Sequence, residues 1–126
     1  MNRRSLVGIV GACLLFAALM AVGADAGKSV AVKGYVLDSA CAFTKGLKKP
    51  ISGECAVACA KAGSPLVILS EEGTIYWPIA DTTPSSGQND KLMPFAGKKV
   101  NVSGKVYQRG GSSAMVIEKI DAAEQK

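Results

Sequence analysis

Between Val100 and Ile120 the sequence alternates apolar and polar residues on both sides of a glycine pair. Val100-Asn101-Val102-Ser103-Gly104-Lys105-Val106-Tyr107 is followed by Gly110-Gly111 and then by Ala114-Met115-Val116-Ile117-Glu118-Lys119-Ile120. A period of two with β-branched residues puts one set of side chains on one face of a strand, and two glycines between such runs signal a hairpin. A lone hairpin is marginal in water, so this pair requires further strands to cover its apolar face.

Those strands are legible upstream. Ser29 to Asp38 carries Val30, Val32 and Val36 at alternate positions and reads as a first strand. Leu66-Val67-Ile68-Leu69 and Thr74 to Ala80 read as two more, joined by the turn Ser70-Glu71-Glu72-Gly73, with Pro78 marking a sheet edge or bulge. Ser52 to Pro65 has a capping serine, an alanine-rich middle, a glycine stop and a proline beyond it, which are the signals of a short helix. Thr82 to Asp90 is rich in turn formers and leads into a helical turn over Lys91 to Gly97, while the tail from Asp121 to Lys126 is expected to fray. With 126 residues there is room for one modest core. The expected fold is mainly β: a small five-stranded OB-fold-like barrel, with one short cysteine-bearing helix after strand 1 and a short helical turn between strands 3 and 4.

The N-terminus reads as a leader. Met1-Asn2-Arg3-Arg4 is followed by an apolar run from Leu6 to Val22 and by Gly23-Ala24-Asp25-Ala26. A positive end, an apolar middle and a small-residue exit predict a signal peptide over residues 1–26, cleaved after Ala26, and a single domain over residues 27–126. The protein is thus expected to be exported, periplasmic or secreted. An uncleaved leader would instead be a membrane anchor, since the run nears the ~20 residues a spanning helix needs, and it would be the only membrane contact. Val10-Gly11-Ala12-Cys13 resembles a lipobox, but the apolar run continues past Cys13.

The first strand ends in Gly34-x-Val36-x-Asp38, and the block Phe95-Ala96-Gly97-Lys98-Lys99-Val100-Asn101-Val102-Ser103-Gly104-Lys105-Val106 opens the final hairpin. Together with Asp38-Ser39-x-Cys41 and Cys55-Ala56-x-x-Cys59-x-x-x-Gly63 they resemble secreted bacterial OB-fold-like domains of uncharacterised function. The resemblance spans roughly Val32 to Ile120 and implies a fold rather than an activity. Such domains often carry a histidine just before the paired cysteines, and this chain has no histidine.

Three cysteines follow the leader: Cys41, Cys55 and Cys59. Cys55 and Cys59 are four residues apart, so on a helix they share a face at about 5 to 6 Å between Cβ atoms. Cys41, expected on the loop leaving strand 1, can fold back over that face. Three readings stand side by side. A soft metal, copper or zinc, is held by the three thiolates with Asp38 as a fourth ligand. Alternatively, one disulfide from Cys41 to Cys55 or Cys59 staples the helix in a structural or protein-interaction domain, contributing about 3 kcal/mol through loop closure. In the third reading the protein is a thiol-disulfide redox protein with Cys55 as nucleophile, placed in the first helical turn, where helix N-termini favour an attacking thiolate. Thioredoxin-like and haem-attachment motifs are missing.

Little else points to an enzyme. Without histidine the Ser-His-Asp arrangement cannot be built, and Glu71-Glu72 reads as a solvated turn tip. Removal of the leader takes away Arg3, Arg4 and Asp25 and lowers the formal charge from +5 to +4, and the remaining lysines stand in runs no longer than two beside the single Arg109, which marks a solvated surface and not a nucleic-acid patch. Among the aromatics, alternation puts Trp77 on the core face with Ile75 and Ile79, and leaves Tyr35, Tyr76 and Tyr107 towards the surface. Met93 and Met115 are expected to pack, not to bind. The expected partners are thus a metal ion or another protein, with no nucleic acid.

Overall fold

The computed structural model describes residues 27–48 and 50–124. The leader, its anchor and lipobox alternatives, and the end of the tail lie outside the described residues. Among the described residues no helix is long and apolar enough to cross a membrane.

Five strands close into a barrel in the order β1-β2-β3-β5-β4, with β4 returning to β1. In chain order these are β1 (Lys28–Asp38), β2 (Leu66–Ser70), β3 (Ile75–Pro78), β4 (Lys99–Arg109) and β5 (Ser112–Ala122). The expected mainly β, OB-fold-like barrel is what forms. β1 is shared between two neighbours: its first part pairs antiparallel with β4, from Lys28↔Val106 to Tyr35↔Lys99, and its second part with β2, from Gly34↔Ser70 to Asp38↔Leu66. The glycine pair supplies the β4–β5 turn, with positive φ at both Gly110 and Gly111, and ten residue pairs zip the hairpin. A parallel seam of three pairs between β3 and β5 completes the ring, and Pro78 ends β3 there without donating to it.

The barrel interior is filled by Val32, Val36, Ile68, Val100, Val102, Val106, Met115 and Ile117. Helix α2 (Gly53–Lys61) joins this core through Ala56 and Ala60, and the short helix α3 (Asn89–Leu92) with its 3-10 extension Met93–Phe95 joins it through Leu92. Two glycines seat α2. At Gly53 an added Cβ would lie 2.9 Å from the Ala96 carbonyl oxygen, and Gly97, at φ +73°, backs directly onto Gly53.

The outer surface of β1 and β2 is covered too. Leu37, Ala42, Val67 and Leu69 form a second buried cluster, flanked by Tyr35, Leu47, Ile51, Ile75 and Trp77. All five residues of β2 are consequently buried.

Several expectations need correction. The segment after strand 1 is a helix, α1 (Ser39–Thr44), and not a loop, so two helices separate β1 from β2. The two aromatics of β3 face opposite to the expected sense: Tyr76 packs against the barrel core, whereas Trp77 joins the outer cluster with Phe43, ring centroids 6.1 Å apart. The register explains this, because Tyr76 pairs with Ile68, which points inward, and cross-strand partners share a face. The tail does not fray at Asp121. β5 runs to Ala122, which pairs with Val100, and the Ala123 N–H donates to the Lys99 carbonyl at 2.8 Å. Glu71 is paired rather than merely solvated: it bridges to Lys99, whose ammonium holds its carboxyl below the usual range.

Candidate functional site

The candidate site lies where β1 ends and the two helices begin. Asp38 is the last residue of β1 and the N-cap of α1, its Oδ1 accepting from the Cys41 N–H at 3.1 Å. Ser52 plays the same part for α2, its Oγ accepting from the Cys55 N–H at 3.1 Å. Each pattern, Asp38-x-x-Cys41 and Ser52-x-x-Cys55, therefore sets a cysteine at the third residue of a helix. Cys59 follows Cys55 by one turn, as the spacing predicts.

Asp38 is only 3% exposed. Burial pushes its carboxyl upward, but hydrogen bonds from the Ser64 hydroxyl, the Cys41 N–H and thiol and the Ala40 N–H outweigh burial and hold it below the ordinary value. Ser64 is in turn fixed by Asn89, whose Nδ2 donates to the Ser64 carbonyl at 2.8 Å while its Oδ1 accepts from the Leu66 N–H at 2.9 Å. The Ser39 N–H donates to the Pro65 carbonyl at 3.0 Å. The turn from α2 into β2 is thus clamped to the end of β1.

The three cysteines are unbridged, with Cys55 exposed and Cys41 and Cys59 partly so. Burial raises the Cys41 thiol, and the Asp38 carboxylate and Cys55 raise it further, against an opposing pull from Lys45. Burial also raises the Cys59 thiol, followed by its hydrogen bond with Cys55 and by the charges of Asp38 and Cys41. The four sequence-predicted residues therefore sense one another. They are not drawn into a finished coordination shell: among the described residues no group of three or more His, Cys, Asp or Glu side chains is assembled to hold a metal ion.

Asp38, Cys41, Lys45, Lys48, Ser52 and Cys55 line a cleft of about 60 Å³. Sites for drug-sized ligands run from about 300 Å³, so this one admits an ion or a few atoms and no sizeable organic substrate. Sequence reasoning missed Ser64, Asn89 and the two rim lysines. Ser64 acts through its hydroxyl on the Asp38 carboxylate and Asn89 through the backbone of Ser64 and Leu66, partners far apart in sequence that become neighbours only when the barrel closes. Met93 and Met115 pack as expected, Met115 being fully buried in the barrel.

Compared with known proteins, the chain matches no family model, no curated sequence and no solved structure.

Proposed function

We propose that the protein is an exported, non-enzymatic binding module of the secreted OB-fold-like kind, taking up a soft metal ion, copper or zinc, through Cys41, Cys55 and Cys59. The observation that carries this reading is geometric: Cys41 and Cys55 line one small cleft from two helices and Cys59 follows Cys55 by one turn, while burial and neighbouring thiol and carboxylate groups raise Cys41 and Cys59. Groups that disfavour one another's negative charge are relieved together by one cation placed among them. The cleft, lined by Cys41 and Cys55 and not by Cys59, is of a size that supports an ion over an organic ligand.

The test is native mass spectrometry of the reduced mature protein with copper(I) or zinc(II), paired with thiol alkylation after denaturation. One bound metal and three alkylatable thiols are expected, with uptake lost in Cys41→Ser and Cys55→Ser. A protein that takes up neither metal overturns the reading.

A second reading has an observation of its own. Cys41 and Cys55 line one small cleft from two different helices, so a bridge between them would staple α1 to α2 in a structural or protein-interaction domain. A mass two protons light with one alkylatable thiol is its signature.

A further inference from the structure

The three cysteines differ in what each can reach. Cys55 is the exposed one, whereas Cys41 and Cys59 are only partly open to solvent. Cys55 is also the thiol with a neighbour on either side. It borders the cleft of about 60 Å³ together with Cys41, and along α2 it shares a hydrogen bond with Cys59.

The two neighbours are not equivalent partners for a covalent bond. A disulfide holds its Cβ atoms about 3.5 to 4.5 Å apart, whereas residues four apart on a helix stand at about 5 to 6 Å. Closing Cys55 onto Cys59 would therefore unwind α2. That helix is held in place, with Gly53 backed onto Gly97 and with Ala56 and Ala60 buried in the barrel core. Cys41 carries no such constraint. It sits on α1, across the cleft, so the pitch of α2 does not hold its sulfur away from Cys55, and Cys59 does not border that cleft.

Resting on the second reading above, in which a bridge can join Cys41 to Cys55, we infer that Cys55 is a thiol-modification site for low-molecular-weight disulfides, that Cys41 resolves the adduct, and that Cys59 stays a free thiol. One disulfide, RSSR, is the oxidant. The Cys55 thiolate attacks one of its sulfurs, the S–S bond breaks, and one RS⁻ leaves and takes up the proton that Cys55 gave up. The Cys41 thiolate then attacks the Cys55 sulfur and expels the second RS⁻, which takes up the Cys41 proton. Two protein thiols are oxidised and one RSSR is reduced to two RSH. Such exchange depends on access to the attacking thiol, which makes the exposed Cys55 the entry point. The cleft has no room for a sizeable R group, which stays in solvent while Cys41 approaches the sulfur from within.

The test mixes the reduced protein with one equivalent of hydroxyethyl disulfide, quenches with acid at intervals, alkylates the remaining thiols and locates each adduct by tandem mass spectrometry of tryptic fragments. The hydroxyethyl adduct should form on Cys55 about tenfold faster than on Cys41 or Cys59. It should then give way to a Cys41–Cys55 bridge with Cys59 alkylated. Cys41→Ser should accumulate the Cys55 adduct instead, and Cys59→Ser should bridge as the parent does. A first adduct on Cys41 or Cys59, followed by the same bridge, overturns the inference while the bridge reading stands. Absence of a Cys41–Cys55 bridge, or a bridge that takes in Cys59, overturns the second reading and this inference with it. The time course of the parent alone decides among these outcomes, so none depends on a variant folding.

Discussion

The two sides of the barrel are built on different rules. On the β4–β5 side one layer suffices: Val102, Val106, Met115 and Ile117 point inward, while their neighbours Asn101, Lys119 and Asp121 meet water. On the β1–β2 side the outer surface is roofed by α1 and its following loop, and a buried carboxylate, Asp38, stands at the end of β1 where α1 begins. The first side buries apolar side chains behind the β4–β5 ladder, with polar contacts such as Lys119–Asp121 left at the surface. The second adds a polar hub, Asp38 with Ser64, Cys41 and Asn89, in which every hydrogen bond depends on the others being in place. Where a small domain accepts the cost of burying a charge, the cysteines are found beside it.

The largest expected effect strikes the barrel interior, against which both sides are built. Leu92 is fully buried in the core shared by α2 and the strands β1, β2, β4 and β5, so Leu92→Ala should lose about 2 to 5 kcal/mol in chemical denaturation. A loss under about 1 kcal/mol would mean that α3 is not integral to the core.

Next is the polar hub. Asp38→Ala removes the cap of α1 and strands the Ser64 hydroxyl and the Cys41 N–H, for an expected cost of about 1 to 3 kcal/mol. The sign of its pH dependence follows from a carboxyl held below its unfolded value of ~3.9. The contribution is complete above that value and disappears as pH falls through the lower folded one. Stability of the parent should therefore drop more steeply below about pH 4 than that of Asp38→Asn. Parallel pH curves for the two proteins would show that the hub carries no charge-dependent stability.

The smallest effect concerns the roof alone. Phe43 is 66% exposed and touches the only tryptophan, Trp77. Phe43→Ala should shift Trp77 emission to the red while moving the unfolding free energy by less than about 0.5 kcal/mol. An unchanged spectrum would dissolve the contact.

The one-layer side was legible in the sequence because its pattern is local: period two on both arms and a glycine pair between them. The cap of α2 was legible for the same reason, Ser52 and Cys55 being three residues apart. The roofed side was harder. α1 has six residues, too few for a helical period to emerge, and its one local clue was an aspartate three residues before Cys41. The unbroken apolar run Leu66 to Leu69 reads as a strand, and its burial on both faces emerges only with the second apolar layer in place. Trp77 was turned the wrong way because alternation gives two faces without saying which is inside, and here a second apolar layer made both plausible homes. Asn89 and Ser64 are 25 residues apart, and nothing local links them before the ring closes.

The parallel seam joining β3 to β5 has a kinetic consequence. Its members are separated by α3 and the whole of β4, and the strand that completes the circle is the last of the five to leave the ribosome. Until then β3 keeps an open edge, and the arc β1-β2-β3 must wait for its closing partner. Long-range pairing of this kind slows folding. A chain shortened before Ser112 loses both β5 pairings together, leaving an unclosed sheet prone to recruit strands from other molecules.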